Sequence, residues 1–112
     1  MDANRNFLTT EAADDGTIVV AGDIDMAGGP IVEQALQARE SELQASGGGD
    51  IVVDLTGVHF MDSSGLRSML AAARLAAARQ AALELRSVGP EIIRLLEITG
   101  TIDQFTIASR RD

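Results

Sequence analysis

The sequence predicts an α/β fold with a mixed, mostly parallel β-sheet, and three observations support this class. Short apolar, strand-like runs alternate with longer segments whose apolar residues recur at helical spacing. The run IVVDL at residues 51–55 has mainly branched apolar residues, which is typical of a strand buried on both faces. Turn residues between the first two runs indicate an opening hairpin. The predicted order is β-β-α-β-α-β-α-β, in which strands joined through helices run parallel.

The first half of the chain contains the predicted hairpin and the first helix. The turn residues DDG at 14–16 separate a strand-like segment at 6–12 from a second one centred on 18–20. Pro30 suits the first turn of a helix, which continues to about residue 45 and ends at the glycine-rich segment 46–50. The wet face of this helix is predicted to carry Glu33, Gln37, Glu40 and Gln44.

The second half predicts two further helices and two further strands. They are a helix from about 64 to 80, a strand at 82–88, a helix at 89–100 and a strand at 105–109. The apolar stripe of the first of these helices consists of Leu66, Met69, Leu70, Ala73 and Ala77. Its opposite, solvent-facing stripe consists of Arg67, Ala71, Arg74 and Ala78.

Length and composition limit the possible functions. The 112 residues fit one domain, 1–112, with loose ends expected at 1–5 and 110–112. Cysteine is absent and His59 is the single histidine, which excludes disulfides, thiolate catalysis and histidine metal clusters. Carboxylates could still hold a metal, but no calcium-loop spacing appears, and we expect no metal and no cofactor. The N-terminus has no signal-peptide pattern and no run approaches the ~20 apolar residues of a membrane span, so we expect a cytoplasmic protein.

The charge distribution argues against polyanionic partners. The net charge is −8, and nine arginines, scattered from Arg5 to Arg111, supply all the positive charge. Nucleic acid or an anionic membrane would require a basic patch, so neither is expected as a partner. The acidity has two interpretations, which are solubility alone and a charge-assisted encounter with a basic protein surface.

The motif FMDSSGLRSML at residues 60–70 places a carboxylate and two hydroxyls where a strand gives way to a helix. A nucleophilic serine would need a base, and His59 lies four residues before Ser63 without an orienting carboxylate at a known triad spacing. The G-x-S-x-G elbow is also absent. We therefore predict no catalytic residue and no enzyme activity, and interpret His59 as a loop residue covering the sheet edge.

Helix capping explains part of this motif, and phosphorylation explains more of it. Asp62 or Ser63 can accept a hydrogen bond from an amide of the first helical turn, worth ~1 kcal/mol. A cap does not explain the second serine, Ser64. It does not explain Gly65 either, because a glycine in the first turn weakens a helix. The helix start can accommodate a phosphate on Ser63, and Gly65 would leave room for a kinase or for the phosphate. A phosphate charge of roughly −1.5 to −2 beside Asp62 would then shift partner binding by ~1–3 kcal/mol.

Three segments together resemble a known family. DLTGVHFMDSSGLRSML at 54–70 resembles the signature of STAS domains, specifically of bacterial anti-sigma factor antagonists. GDID at 22–25 looks like the acidic strand end of these proteins, and VGPEIIRLLEITG at 88–100 resembles their following helix and glycine turn. The likeness extends from about residue 17 to residue 107 in the expected order. It implies a STAS-like fold whose three to four helices pack mainly on one face of the sheet.

The resemblance also implies a function. Such antagonists bind an anti-sigma factor that is itself a serine kinase of the histidine-kinase ATPase type, and the unmodified antagonist frees the sigma factor. The kinase, which binds the ATP, phosphorylates the first serine of the motif, here Ser63, and a PP2C-type phosphatase restores the unmodified form. Asp23 and Asp25 match the acidic pair at the partner interface. The predicted partner-binding set is Asp23, Asp25, Asp62, Ser63, Ser64, Gly65, Arg67, Ala71 and Arg74.

Some features differ from the family or go beyond it. Arg67 stands where many members have a small residue. The small residue Ala71 between Arg67 and Arg74 would let a partner approach this helix face closely. Alanine also occupies exposed helix positions without any binding function. The chain stops soon after Ser109, so the final helix is expected to be short or absent and the sheet edge near Phe105 less covered. An alternative function is that of a STAS accessory subunit that docks on a lipid-transport ABC ATPase. STAS subunits of this kind commonly lack a clean D-S-S-G-L context.

Overall fold

The computed structural model describes residues 7–111, and the order of elements in this part of the chain confirms the prediction. The strands are β1 (Thr9–Ala12), β2 (Ile18–Ala21), β3 (Ile51–Gly57), β4 (Leu83–Arg86) and β5 (Thr106–Ile107). The helices are α1 (Gly29–Ala45), α2 (Ser63–Ala78), α3 (Pro90–Ile98) and a single 3-10 turn, Ile102–Gln104. The expected loose segment 1–5 lies outside the described residues.

The strands form one sheet in the order β1-β2-β3-β4-β5. β1 pairs with β2 in antiparallel orientation, and all other neighbours are parallel. This is the mixed, mostly parallel sheet with an N-terminal hairpin that the sequence predicts. Because β2 and β3 are parallel neighbours, their carboxyl ends lie at the same edge of the sheet. The loops that follow them, GDIDMAGG and VHFMDSS, are therefore brought together.

One face of the sheet is well buried and the other is not, so the prediction that β3 is buried on both faces was wrong. Ile51, Val53 and Leu55 are fully buried, whereas Val52 and Asp54 between them are half-buried. β2 and β4 alternate in the same way. The inward residues of these strands and the buried apolar side chains of all three helices belong to one hydrophobic cluster. This arrangement agrees with helices that pack mainly on one face.

α1 and α2 approach each other closely near their N-terminal ends because small residues meet there. A Cβ atom added to Gly29 would lie 3.0 Å from Oγ of Ser68. The buried residues of α2 are Gly65, Leu66, Ser68, Met69, Ala72, Ala73 and Ala76. The predicted apolar stripe is correct for Leu66, Met69 and Ala73. It is wrong for Ala77, which is exposed because Ala76 faces the core instead.

Glu40, predicted on the wet face of α1, is buried. Its carboxylate accepts hydrogen bonds from Nε and Nη2 of Arg79, the residue that ends α2, and from Nε2 of Gln44. Nη2 of Arg79 also donates to the carbonyl of Gly49. These donors hold the pKa of the Glu40 carboxyl below its usual range, against the opposing effect of burial, and Arg79 has the largest influence. The pair joins the C-terminal half of α1 to the end of α2.

The C-terminal segment is held more firmly than the sequence suggests. Arg110, expected to be loose, forms a β-bridge with Val88, and the amide of Arg111 donates to the carbonyl of Val88. No helix follows β5 among residues 7–111, in agreement with the expected short or absent final helix. Phe105, at the edge expected to be less covered, is nevertheless buried.

Candidate functional site

The loops after β2 and β3 are joined through the backbone of Ile24. The Ile24 amide donates to the carbonyl of Phe60 at 3.1 Å, and the Asp62 amide donates to the carbonyl of Ile24 at 3.2 Å. These two bonds form a parallel bridge between Ile24 and Met61. The acidic segment GDID and the serine motif, 37 residues apart at Asp25 and Asp62, therefore share one surface.

Gly65 is buried, and close packing accounts for the glycine at this position. A Cβ atom on Gly65 would lie 1.9 Å from the carbonyl oxygen of Ile24, far inside any possible contact. The first turn of α2 can therefore lie against the Ile24 loop only if residue 65 has no side chain. Sequence reasoning assigned Gly65 to the space needed by a kinase or phosphate, whereas in the structure its face is occupied by Ile24.

Asp62 caps α2, and Ser63 is the first residue of the helix. The Asp62 carboxylate accepts a hydrogen bond from the Gly65 amide at 3.0 Å, and its own carbonyl accepts one from Leu66 at 2.9 Å. The capping role is therefore observed, as the sequence predicts. Ser63 is exposed and Ser64 is half-buried. Of the two hydroxyl-bearing residues, Ser63 is the more accessible.

Of the two acidic residues of the GDID segment, Asp25 lies beside this helix start. The Asp25 carboxylate accepts hydrogen bonds from the amides of Ala27 at 3.0 Å and Gly28 at 2.7 Å, which stabilise the turn that leads into α1. Asp23 is half-buried in the same loop. Asp25 and Asp62 line one shallow depression of about 550 Å³ together with Met26 and Ala27. Asp25 therefore has a structural role and also faces the surface next to Asp62.

Exposed apolar side chains at this surface were missed by the sequence reasoning. Met26 is 77% exposed and lines the depression, and Phe60, whose carbonyl is bonded to Ile24, is 48% exposed. Ile31, in the first turn of α1, is also partly exposed. A methionine inside an acidic, glycine-rich loop was the available signal for Met26. Contiguous exposed apolar patches with a polar rim mark protein interaction sites.

The predicted arginine stripe continues from Ser63 along α2. Arg67 and Arg74 are exposed, and Ala71 between them is half-buried. Residues four positions apart on a helix share a face, so Ser63, Arg67 and Ala71 follow one another at successive turns, and Arg74 continues the row. The structure therefore places eight of the nine predicted partner-binding residues on the two loops and this helix face, while Gly65 lies beneath them.

The described residues do not contain the arrangement that a catalytic serine or a metal site would need. Nδ1 of His59 lies 3.3 Å from Nη2 of Arg111, and no hydrogen bond among residues 7–111 links His59 to Ser63. No group of three histidine, aspartate or glutamate side chains among the described residues could hold a metal ion. None of the described helices is long and apolar enough to cross a membrane.

Comparison with known proteins agrees with the motif. The family model described as "Mlab, STAS domain" matches residues 7–105. The anti-sigma-B factor antagonist of Listeria monocytogenes is 38% identical over 86 residues, which cover 77% of this chain and 72% of that protein.

Solved structures of anti-sigma factor antagonists have the same fold. An anti-sigma factor antagonist from Mycobacterium paratuberculosis superposes with a TM-score of 0.73 at 24% identity, covering 99% of this chain and 90% of that one. The Bacillus cell fate determinant SpoIIAA in its phosphorylated form gives a TM-score of 0.62 at 18% identity, covering 88% of each chain. These identities are low, so the two structures establish the fold alone. Together with the family model, the serine motif and the sheet topology, they show that the chain belongs to the STAS domain family.

Proposed function

We propose that this protein is an anti-sigma factor antagonist that binds a serine-kinase anti-sigma factor while unmodified and is switched off by phosphorylation of Ser63. The observation that carries the proposal is the exposure of Ser63 at the start of α2, on the surface shared with Asp25 and Asp62. The names of the curated relatives support the antagonist role. SpoIIAA, which has this fold, is known in phosphorylated and unphosphorylated forms.

The helix start suits a phosphoryl group on Ser63. The amides of the first helical turn have no acceptor within the helix, and the Asp62 carboxylate takes only that of Gly65. The positive end of the helix dipole also favours an added negative charge at this position. Phosphorylation therefore does not require the capping contact of Asp62 to break.

The added charge explains how binding would be switched. A phosphate carries about −1.5 to −2 charges near pH 7 and would join Asp25 and Asp62 on one small surface. Acidic groups of the partner that tolerate a serine hydroxyl would be repelled by this cluster. A coupling of ~1–3 kcal/mol corresponds to a roughly five- to 150-fold loss of affinity.

The surroundings of Ser63 also suit a protein partner. Met26 and Phe60 supply exposed apolar area that a protein partner would cover on binding. In this proposal the protein acts in the cytoplasm as a binding protein without enzyme activity. A PP2C-type phosphatase restores the unmodified state, and neither nucleic acid nor a membrane takes part.

Phosphorylation with a kinase-type anti-sigma factor and ATP tests the proposal, with intact-mass spectrometry as the readout. The wild type and the neighbouring control Ser64→Ala should each gain one phosphate, and Ser63→Ala should gain none. Phosphate on the Ser63→Ala protein would show that another residue is modified. For binding, Ser63→Asp should lose affinity relative to the uncharged control Ser63→Asn, and equal affinities would contradict the electrostatic explanation.

The second candidate, an accessory subunit that docks on a lipid-transport ABC ATPase, uses the same fold but does not need a phosphoacceptor. The exposed serine beside the cap is therefore the feature that favours the first candidate. The neighbouring genes separate the two, since one function requires a kinase-type anti-sigma factor and the other a permease and its ATPase.

A further inference from the structure

The guanidinium group of Arg111 occupies the turn at the end of β3, shortly before Ser63 in the chain. Nη1 donates to the carbonyl of Leu55 at 2.9 Å and also to that of Thr56, and Nη2 donates to the carbonyl of Val58 at 2.8 Å. One side chain thus binds three carbonyls of a single turn. A planar guanidinium with several donors in fixed directions can do this, whereas a lysine ammonium cannot span the same set.

The backbone around Gly89 is built to admit this guanidinium. The amide of Arg111 donates to the carbonyl of Val88 at 2.7 Å, which fixes the start of the side chain. A Cβ atom on Gly89 would lie 2.6 Å from Nη2 of Arg111, so glycine leaves the space that the guanidinium fills. Gly89 has φ −71° and ψ 160°, which any residue can adopt. Room for Arg111, and not backbone conformation, therefore explains this glycine.

The same guanidinium also contacts the ring of His59. Nη2 of Arg111 lies 3.3 Å from Nδ1 of His59. A guanidinium only donates, so Nδ1 must accept, and the neutral imidazole then carries its proton on Nε2. His59 is the single histidine of the chain, so its ring signals report on this contact without interference.

The segment between β3 and α2 is consequently held from two sides. Arg111 binds the turn at Leu55, Thr56 and Val58, and Ile24 binds the backbone of Phe60 and Asp62. We propose that Arg111 is a positioning residue for the modification of Ser63, acting by fixing the turn at residues 55–59 and hence the direction in which Phe60 and the start of α2 are presented. This inference rests on the proposed function of Ser63 as the phosphoacceptor.

Two substitutions that remove the same contact by different means test the proposal. Arg111→Ala deletes the guanidinium, and Gly89→Ala keeps it but displaces it from the turn. Each should accelerate amide hydrogen exchange at residues 56–62 by about tenfold and shift the ¹⁵N signals of His59 toward a mixture of tautomers. The double variant should change no further than either single variant, because both act on one contact. Arg110→Ala, which removes an equal charge from the adjacent exposed residue, should behave as the wild type.

The functional measurement is the rate of Ser63 phosphorylation by a kinase-type anti-sigma factor with ATP. Arg111→Ala and Gly89→Ala should both lower kcat/KM by about tenfold, since small displacements of a reacting group are costly. Unchanged exchange in both variants, or additive effects in the double variant, would show that the contact does not hold the loop. Faster exchange with an unchanged kcat/KM would overturn the positioning role alone. Absence of phosphate on the wild type would overturn the proposed function, and this inference with it.

Discussion

Neutralising Glu40 tests whether its buried ion pair with Arg79 holds α1 against α2. Nε and Nη2 of Arg79 lie 2.6 and 2.7 Å from the two carboxylate oxygens, and Nε2 of Gln44 lies 2.9 Å from one of them. The Glu40 side chain is only 4% exposed and that of Arg79 16%. The variant Glu40→Gln keeps the shape of the side chain but removes its charge and one of its two acceptor atoms.

The expected loss of stability is about 2–3 kcal/mol. A hydrogen bond to a charged group contributes about 1.5–3 kcal/mol, and Glu40→Gln removes one such bond and weakens the others. For a domain of this size, each kcal/mol corresponds to about 4–8 °C, so Tm should fall by about 10–20 °C. Arg79→Ala should destabilise the protein further than Glu40→Gln. Arg79→Ala leaves a buried carboxylate without its main donors, whereas in Glu40→Gln the unpaired guanidinium of Arg79 can turn toward solvent.

The pair formed by Glu84 and Arg86 provides a matched control. Its shortest N–O distance is also 2.6 Å, but its side chains are 22% and 46% exposed. Glu84→Gln should therefore change the free energy of unfolding by less than about 1 kcal/mol. Urea denaturation followed by circular dichroism measures both variants, and an unchanged m-value ensures that the midpoints can be compared. If the two variants lose equal stability within about 0.5 kcal/mol, burial does not decide the strength of these pairs and the reasoning fails.

Three further changes test individual contacts. Gly65→Ala should destabilise the protein by about 1–3 kcal/mol, because the added Cβ would overlap the carbonyl of Ile24. This loss is expected although alanine is favoured over glycine in a helix by about 1 kcal/mol. A gain in stability on thermal unfolding would contradict the close approach. Asp62→Ala should lose about 1 kcal/mol of capping energy that Asp62→Asn retains, measured in urea. Acid should weaken the fold through Glu40, because folding lowers the pKa of this carboxyl. The contribution of the ionised carboxylate to stability is complete above the unfolded pKa and is lost as the pH falls below about 4. Glu40→Gln should therefore show a smaller acid-induced shift of the urea midpoint than the wild type.

Most of the fold could be predicted because it depends on local patterns. Alternating apolar residues, the glycine-rich breaks and the prolines at 30 and 90 determine where each strand and helix begins, and the helix boundaries agree within two residues. The exposure of Ser63 next to a capping Asp62 could be predicted for the same reason. A carboxylate followed by Ser63 at the beginning of an apolar helical run is a local sequence pattern. The start of a helix that follows a surface loop is commonly exposed.

The contacts that the sequence did not predict are made between residues far apart in the chain. Glu40 looks solvent-facing within α1, and only Arg79, 39 residues away, explains its burial. Gly65 is required by the carbonyl of Ile24, and Arg111 reaches a turn 56 residues upstream. No periodicity within a segment contains this information. β3 is a different case, because Asp54 within its apolar run was a local sign that one face is not fully buried.

The way Ser63 is held favours a switch that acts through charge and not through refolding. The helix start is fixed by the Asp62 carboxylate on the Gly65 amide and by backbone bonds from Ile24, and none of these contacts uses the Ser63 hydroxyl. A phosphate on that oxygen would leave them in place. The helix dipole would favour the phosphate by about 0.3–1 kcal/mol, which offsets part of its repulsion with Asp62. The fold would therefore register the modification only weakly, while a partner seated over the same surface would meet the full added charge.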